Sequence, residues 1–182
     1  MIRGETPGHD EAFRREALAH ADALYNLGRY LTRNPDEAED LVQETYARAL
    51  RGAAGFRPGT NLKAWLFAIL RNQFLSSRRG ARRTQAGEAL ERGDELPSDD
   101  GYLRGDLELE RMRRLVSEEI EAALLSLSDE ARTVVLLDLE DLSEGEVAQV
   151  MGCAVGTVKS RLARARAALR ERLSHYAREG TR

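Results

Sequence analysis

Apolar positions recur along this chain at intervals of three and four residues, in stretches separated by polar breaks carrying glycine or proline, and that spacing predicts α-helices. The first stretch, residues 10–33, places Phe13, Ala17, Ala21, Leu24, Tyr25, Gly28 and Leu31 near one face and predicts a single packing helix. Asn34, Pro35 and Glu37 then mark a new start, with Asn at the cap, Pro at the first helical position and Glu three residues after the cap. The helix opened there turns Ala38, Leu41, Val42, Thr45, Tyr46 and Ala49 inward. Its other face carries Asp40, Gln43 and Glu44, a pattern that suits either a solvated acidic surface or a docking surface for a partner.

Residues 55–61, GFRPGTN, form a break of turn residues in which Thr60 or Asn61 can cap the next helix. That helix, LKAWLFAILRNQFLSSRR, is apolar around much of its circumference through Leu62, Trp65, Leu66, Phe67, Ile69, Leu70 and Phe74, as befits the central helix of a three-helix domain. Arg71 is expected on its outer side, and Arg78, Arg79, Arg82 and Arg83 make its end basic. An aromatic and basic loop beside a basic helix suits single-stranded DNA, whose backbone charge is tracked while its bases stack on flat side chains. Trp65 alone is weak evidence for this, because a tryptophan at that helical spacing is more often core.

From residue 84 to 106 the periodicity dissolves into an acidic run with glycine, proline and serine, which reads as a flexible linker. Fully extended, about 20 such residues reach roughly 65 Å, so the flanking domains can touch DNA sites far apart on one duplex. A helix is expected over 107–127, and Ser128 caps another, DEARTVVLLDLE, whose Val134, Val135, Leu136, Leu137 and Leu139 supply core to the C-terminal part. The chain thus divides into a first helical domain at 10–83, a linker at 84–106 and a second helical domain at 107–178: an all-α protein of two small domains.

The second domain ends in SEGEVAQVMGCAVGTVKSRLARARAALRER, two helices joined by a tight turn. Ser143 and Glu146 have the spacing of a capping box, and Gly152 supplies the left-handed residue that stops the first helix. Ala148 leaves room for a close helix crossing. In the second helix Val158, Leu162, Ala165 and Leu169 form one apolar stripe. Thr157, Ser160 and Arg164 point away from it, with Lys159, Arg161 and Arg166 on the flanks. This is the layout of a helix-turn-helix, whose second helix enters the major groove while basic flanks meet phosphates. Ala154, just before that helix, is a weak cap, so its start depends on packing.

Charge and chemistry narrow the picture. The 182 residues carry a net charge of -3, so DNA contact has to be local rather than spread over a basic coat. The single cysteine, Cys153, rules out a disulfide framework and a Cys-x-x-Cys site and suits a buried small side chain at the turn. His9, His20 and His175 are scattered, and no nucleophile is paired with a base, which excludes the common enzyme constellations and implies neither metal nor cofactor. The N-terminus lacks the apolar core of a signal peptide, and no stretch approaches the ~20 apolar residues of a membrane span. A cytoplasmic protein without membrane contact of its own is expected.

The order NPDEAEDLVQET, FRPGTNLKAWLFAILRN, acidic linker, then LSEGEVAQVMGCAVGTVKSRLARAR resembles the bacterial extracytoplasmic-function (group 4) RNA polymerase sigma factors over nearly the whole chain. The resemblance implies an alternative sigma factor that binds core RNA polymerase and directs promoter-specific initiation, built from a sigma region 2 domain and a sigma region 4 domain. It implies that Asp40, Gln43 and Glu44 dock on the beta-prime clamp helices, with the beta flap as a second contact. It implies that Phe56, Arg57, Asn61, Lys63, Trp65 and Arg71 recognise and open the minus-ten element, and that Thr157, Lys159, Ser160, Arg161, Arg164 and Arg166 read the minus-thirty-five element. Primary sigma factors melt DNA with an adjacent aromatic pair, whereas here Trp65 is followed by Leu66, which implies more promoter-selective melting. An anti-sigma factor clamping both domains is the further partner implied.

Two other classes bear comparison. A sigma-like mimic that titrates an anti-sigma factor would share these motifs but ordinarily needs a receiver domain and can lose its DNA-reading helix. A helix-turn-helix transcriptional regulator would leave the acidic face and basic helix of the first domain idle.

Overall fold

The computed structural model of the protein describes residues 7–57, 59–84 and 107–174. The expected linker lies outside them from residue 85 on, as do the side chains of Arg82 and Arg83. Eight α-helices account for most of the described residues: α1 (Pro7–Leu18), α2 (Ala21–Thr32), α3 (Pro35–Arg51), α4 (Leu62–Thr84), α5 (Leu107–Leu125), α6 (Asp129–Leu139), α7 (Glu144–Met151) and α8 (Val155–Arg172). Among the described residues there is no strand.

The helix expected over residues 10–33 is in fact two. The chain turns at Ala19 and His20, where the His20 N–H bonds the Ala17 carbonyl at 3.1 Å and the helix restarts at Ala21. No glycine or proline marks this break, and the apolar spacing runs through it. The break is made by packing: it lets Phe13 and Ala17 close over α4, with the Phe13 ring edge-on to Trp65 at 6.2 Å. Tyr46 of α3 donates its hydroxyl proton to the same Ala17 carbonyl at 3.0 Å, a second hydrogen bond on that acceptor that ties α3 to the end of α1.

The other local signals operate as expected. The Asn34 side chain accepts from the N–H groups of Asp36 and Glu37, and Pro35 occupies the first turn of α3. Ala38, Thr45 and Ala49 of that helix are buried against α2 and α4. The Asn61 carbonyl oxygen of the side chain accepts from the Ala64 N–H at 3.2 Å and so caps α4. Leu62, Leu66, Phe67, Leu70 and Phe74 are buried along α4, which is the central helix of the first bundle.

In the second bundle Ser128 caps α6 through the Ala131 N–H. Val134, Val135 and Leu137 are buried, but Leu136 is half-buried and Leu139 is 68 % exposed, so Leu139 is not core. Leu139 lies two residues beyond the buried Leu137, about 200° around the helix, and therefore faces out. Arg132 and Thr133 are buried in that stripe instead. Gly152 takes the left-handed conformation (φ 62°) that ends α7, and Ala148 is buried beneath α8. Ala154 makes no side-chain cap, so α8 is held by Val158, Leu162 and Ala165.

At the start of α7 the Ser143 hydroxyl accepts from the Glu146 N–H at 3.3 Å while the Glu146 carboxylate accepts from the Ser143 N–H at 2.8 Å. The Ser143 hydroxyl and N–H hold the Glu146 carboxyl below its ordinary pKa. A folded-state pKa below the unfolded one contributes stability that is present at neutral pH and lost as pH falls through the folded value. Ser143→Ala is therefore expected to cost about 1 kcal/mol near neutrality. In urea titrations run from about pH 7 toward pH 3 the gap to the parent should shrink; a gap that stays constant would show that the carboxylate contributes nothing.

The two bundles lie against each other. Helix α4 runs along α7, α2 meets α6, and buried side chains continue from one bundle into the other around Phe67, Leu27 and Leu137.

Candidate polymerase and nucleic-acid interfaces

Three surfaces carry the residues singled out in the sequence. On α3, Asp40, Gln43 and Glu44 are all exposed, as the outward face required. Glu44 is bridged to Arg48 at 2.9 Å and to Arg51 at 3.4 Å, and the Arg48 hydrogen bond lowers its pKa. The carboxylate charge there is thus partly neutralised before any partner arrives.

The second surface is the loop after α3 together with α4, and the fold divides its residues between two sides. The Phe56 and Trp65 rings meet at a tilt of 53° with centroids 5.4 Å apart, and Phe56 lies 5.8 Å from Phe13, so the three rings form one aromatic cluster in which Phe13 is buried and Phe56 and Trp65 are half-buried. Arg57 is exposed beside it. Asn61, Lys63 and Arg71 face the other way, toward the second bundle. Lys63 and Arg71 lie about 80° apart around α4 while Trp65 is nearly opposite Lys63, which follows from helical geometry at about 100° per residue. The Asn61 amide donates to Glu146 at 2.8 Å. The Lys63 ammonium pairs with the Glu140 carboxylate and donates to the Glu140 carbonyl at 3.0 Å. Arg71 donates to the Val150 carbonyl at 3.4 Å. Its expected place on the outer side of α4 is therefore corrected: it is half-buried between bundles, and desolvation lowers its pKa, opposed by the charge of Glu130. Further along, Arg78 pairs with Asp129 at 3.0 Å and lies over the Phe74 ring.

The third surface is α8. Val158, Leu162 and Ala165 are buried and Leu169 partly so, while Ser160 and Arg164 are exposed and Thr157 half-exposed. The Arg164 Nε donates to the Ser160 carbonyl at 3.2 Å, which lays the guanidinium along the outer face. Lys159 pairs with Glu144 at 3.3 Å and Arg166 with Asp138 at 2.6 Å, both with the basic partner more than half exposed. Arg161 differs: only 23 % of its side chain is accessible, it pairs with Glu130 at 2.8 Å and it approaches the Cys153 sulfur at 3.9 Å. It braces α8 against α6 as well as flanking the outer face.

One residue that ties the two bundles together escaped sequence reasoning. Arg132 is 2 % exposed and its guanidinium donates to the carbonyls of Leu124, Leu125 and Leu127 at the end of α5 and to that of Tyr30 in the first bundle. Its only sequence signal is a shared helical face with Val135 and Leu136, three and four residues on.

Two helical bundles, the second carrying a helix-turn-helix with an open polar face, define a DNA-binding protein. Residues 17–84 match sigma-70 region 2, and residues 117–169 match sigma-70 region 4. The chain is 39% identical over 162 residues to the ECF RNA polymerase sigma factor EcfG of Rhodopseudomonas palustris, covering 87% of this chain and 83% of that one. It is 37% identical to the ECF RNA polymerase sigma factor SigE of Mycolicibacterium smegmatis, covering 95% of this chain and 64% of that protein. Among solved structures it resembles the sigma factor RpoE of Bartonella quintana, determined with the anti-sigma factor NepR, at a TM-score of 0.70 and 36% identity over 90% of this chain and 98% of the other. The chain belongs to the extracytoplasmic-function sigma factors of bacterial RNA polymerase, and it is an alternative sigma factor that directs transcription. Sigma factors are regulatory proteins rather than enzymes.

Proposed function

We propose that the first domain docks on the beta-prime clamp helices of core polymerase through Asp40, Gln43 and Glu44 and opens the minus-ten element through Phe56, Arg57, Asn61, Lys63, Trp65 and Arg71. The second domain contacts the beta flap and reads the minus-thirty-five element through Thr157, Lys159, Ser160, Arg161, Arg164 and Arg166. The observation that carries this reading is the division of α8 into a buried stripe of Val158, Leu162 and Ala165 and an outer face of Ser160, Arg164 and half-exposed Thr157, the width and polarity that a major groove accepts. We place the domains at 10–83 and 107–178. An anti-sigma factor is the regulator of this chain, as it is the partner of the Bartonella sigma factor. The protein acts by binding, without catalysis of its own, in the cytoplasm; among the described residues no helix is long and apolar enough to cross a membrane.

Run-off transcription with core polymerase over a promoter library tests the function, since it separates initiation from mere binding. Within it, Arg164 and Lys159 are expected to behave differently. Arg164→Ala should lose discrimination at particular upstream base pairs by about 1–3 kcal/mol, the worth of a bidentate contact with guanine. Lys159→Ala should weaken all promoters alike and lower the salt slope by about one, as for a lost phosphate contact. Unchanged base preference in the Arg164 variant would remove that residue from the reading set.

A further inference from the structure

Helix α8 carries its cations on different sides. At about 100° per residue, Lys159 and Arg166 fall within about 20° of each other on one flank, roughly 10 Å apart along the axis. Arg164 lies about 140° around the helix from Lys159, on the outer face. The two flank cations are already paired, and with carboxylates from other helices. Lys159 pairs with Glu144 in the first turn of α7 at 3.3 Å, and Arg166 pairs with Asp138 in the last turn of α6 at 2.6 Å. Within α8 itself the only acidic residue is Glu171, next to its end. Arg164 differs: among the described residues it pairs with no carboxylate, and its Nε donates to the Ser160 carbonyl.

Asp138 stands where its own helix does not want it. A carboxylate in the last turn meets the negative end of the helix dipole, and the last turn of α6 has no basic residue to offset it. What Asp138 serves is Arg166. These pairs alter the electrostatics of any DNA that arrives. A phosphate docking on Lys159 or Arg166 comes within about 2.8 Å of the cation, which puts it roughly 6 Å from the carboxylate already there. That separation is inside the ~8 Å screening length at physiological salt, so the two anions repel. By Coulomb's law in water the repulsion is worth about threefold in affinity at each pair. Base contacts made by Arg164 carry no such cost.

We propose that Glu144 and Asp138 are specificity-determining residues of the minus-thirty-five interface: as fixed counter-charges on one flank of α8, they keep backbone contact too weak to hold the second domain on DNA by itself, so that attachment depends on the bases read from the outer face. The proposal rests on the assignment of α8 to that element given under Proposed function. Phosphate contacts supply non-specific affinity and base contacts supply discrimination. Removing the two carboxylate charges therefore strengthens binding to every duplex, matched or not, and lets mismatched promoters reach the affinity that only matched ones have in the parent.

The test measures binding of the full chain, at about 100 mM salt, to a labelled duplex carrying an upstream element selected by run-off and to the same duplex with that element scrambled. Glu144→Gln with Asp138→Asn keeps both side-chain shapes and removes both charges. Neither carboxylate caps a helix, since Ser143 and Glu146 form the box on α7 and Ser128 caps α6. Affinity of this variant for the scrambled duplex should rise about tenfold, and by no less than about fivefold, with the gain shrinking as salt is raised. Glu144→Gln alone should give about threefold. Lost structure cannot produce such gains. In run-off by the variant holoenzyme, at a concentration that saturates the matched promoter, promoters with one upstream mismatch should gain on the matched one. Unchanged affinity for the scrambled duplex overturns the proposal, and so does raised affinity with unchanged discrimination in run-off. Lower affinity in both the single and the double variant overturns it too, because the carboxylates would then be holding Lys159 and Arg166 in place for phosphate. Lys159→Ala separates the proposal from the assignment beneath it. If that variant binds every duplex like the parent, the flank does not meet phosphate, and assignment and proposal fail together. If it weakens all duplexes while the amide variants gain nothing, the counter-charge role alone fails.

Discussion

Arg132→Met is expected to destabilise the second domain by about 3–5 kcal/mol, the range found when one partner of a buried charged network is removed. Four carbonyls accept from this one side chain, which is 2 % exposed, three of them in and just after the last turn of α5, and truncation removes a donor from each, leaving Leu124 with the Leu127 N–H. Each buried orphan acceptor costs about 1–3 kcal/mol, so even partial rehydration leaves a large deficit. Desolvation and the nearby Arg33 lower the pKa of this arginine, opposed by the carboxylate of Asp129 at 3.5 Å. Arg132→Lys should recover little, because one ammonium cannot reproduce the fork that reaches several carbonyls at once. Urea denaturation followed by circular dichroism measures the loss, and a deficit under about 1 kcal/mol would mean that water replaces the guanidinium without difficulty. Because Arg132 also holds Tyr30, the same variant is expected to loosen the seam between the bundles.

Simultaneous replacement of Asp40, Gln43 and Glu44 by alanine is expected to weaken binding to core polymerase about 10- to 100-fold, or roughly 1.4–2.8 kcal/mol. Folding should survive, since all three are exposed and the helix is anchored by the Asn34 cap and by buried Ala38, Thr45 and Ala49. Single changes should be small and unequal. Glu44 is already bridged to Arg48 and Arg51, so a partner gains its carboxylate only by displacing those contacts, and Asp40 should matter more. Pull-down of core polymerase by the folded triple variant at the parental level would remove this face from the docking site. The same measurement at two salt concentrations should show the difference narrowing at high salt, because exposed charges are screened.

Helix starts and stops in this protein are written locally, which is why they could be read without coordinates. Asn34 with Pro35, Ser128, and Ser143 with Glu146 each satisfy N–H groups within three residues of themselves, and Gly152 takes a conformation that costs it little. The outer face of α8 was legible for a similar reason: once Val158, Leu162 and Ala165 are known to be buried, helical geometry dictates where Ser160 and Arg164 point. For the acidic face of α3 periodicity gave only an outward direction, and the docking role proposed for it comes from family resemblance.

The sequence by itself therefore determined the all-helical class, most helix boundaries and which residues stand outward on α3 and α8. Tertiary structure alone decided the rest. It broke the first helix at His20, where no local signal stands, because burying Phe13 against Trp65 outweighs continuing the helix. It put Arg132 in the interior and left Leu139 out, since the acceptors that make a buried arginine tolerable come from α5 and α2, far away in the chain. It also set Lys63 and Arg71 against Glu140 and Val150 of the second bundle, where periodicity had put Arg71 on an outer side. Contacts formed across about 80 positions depend on how the two bundles meet, and periodicity within either one carries no information about that meeting.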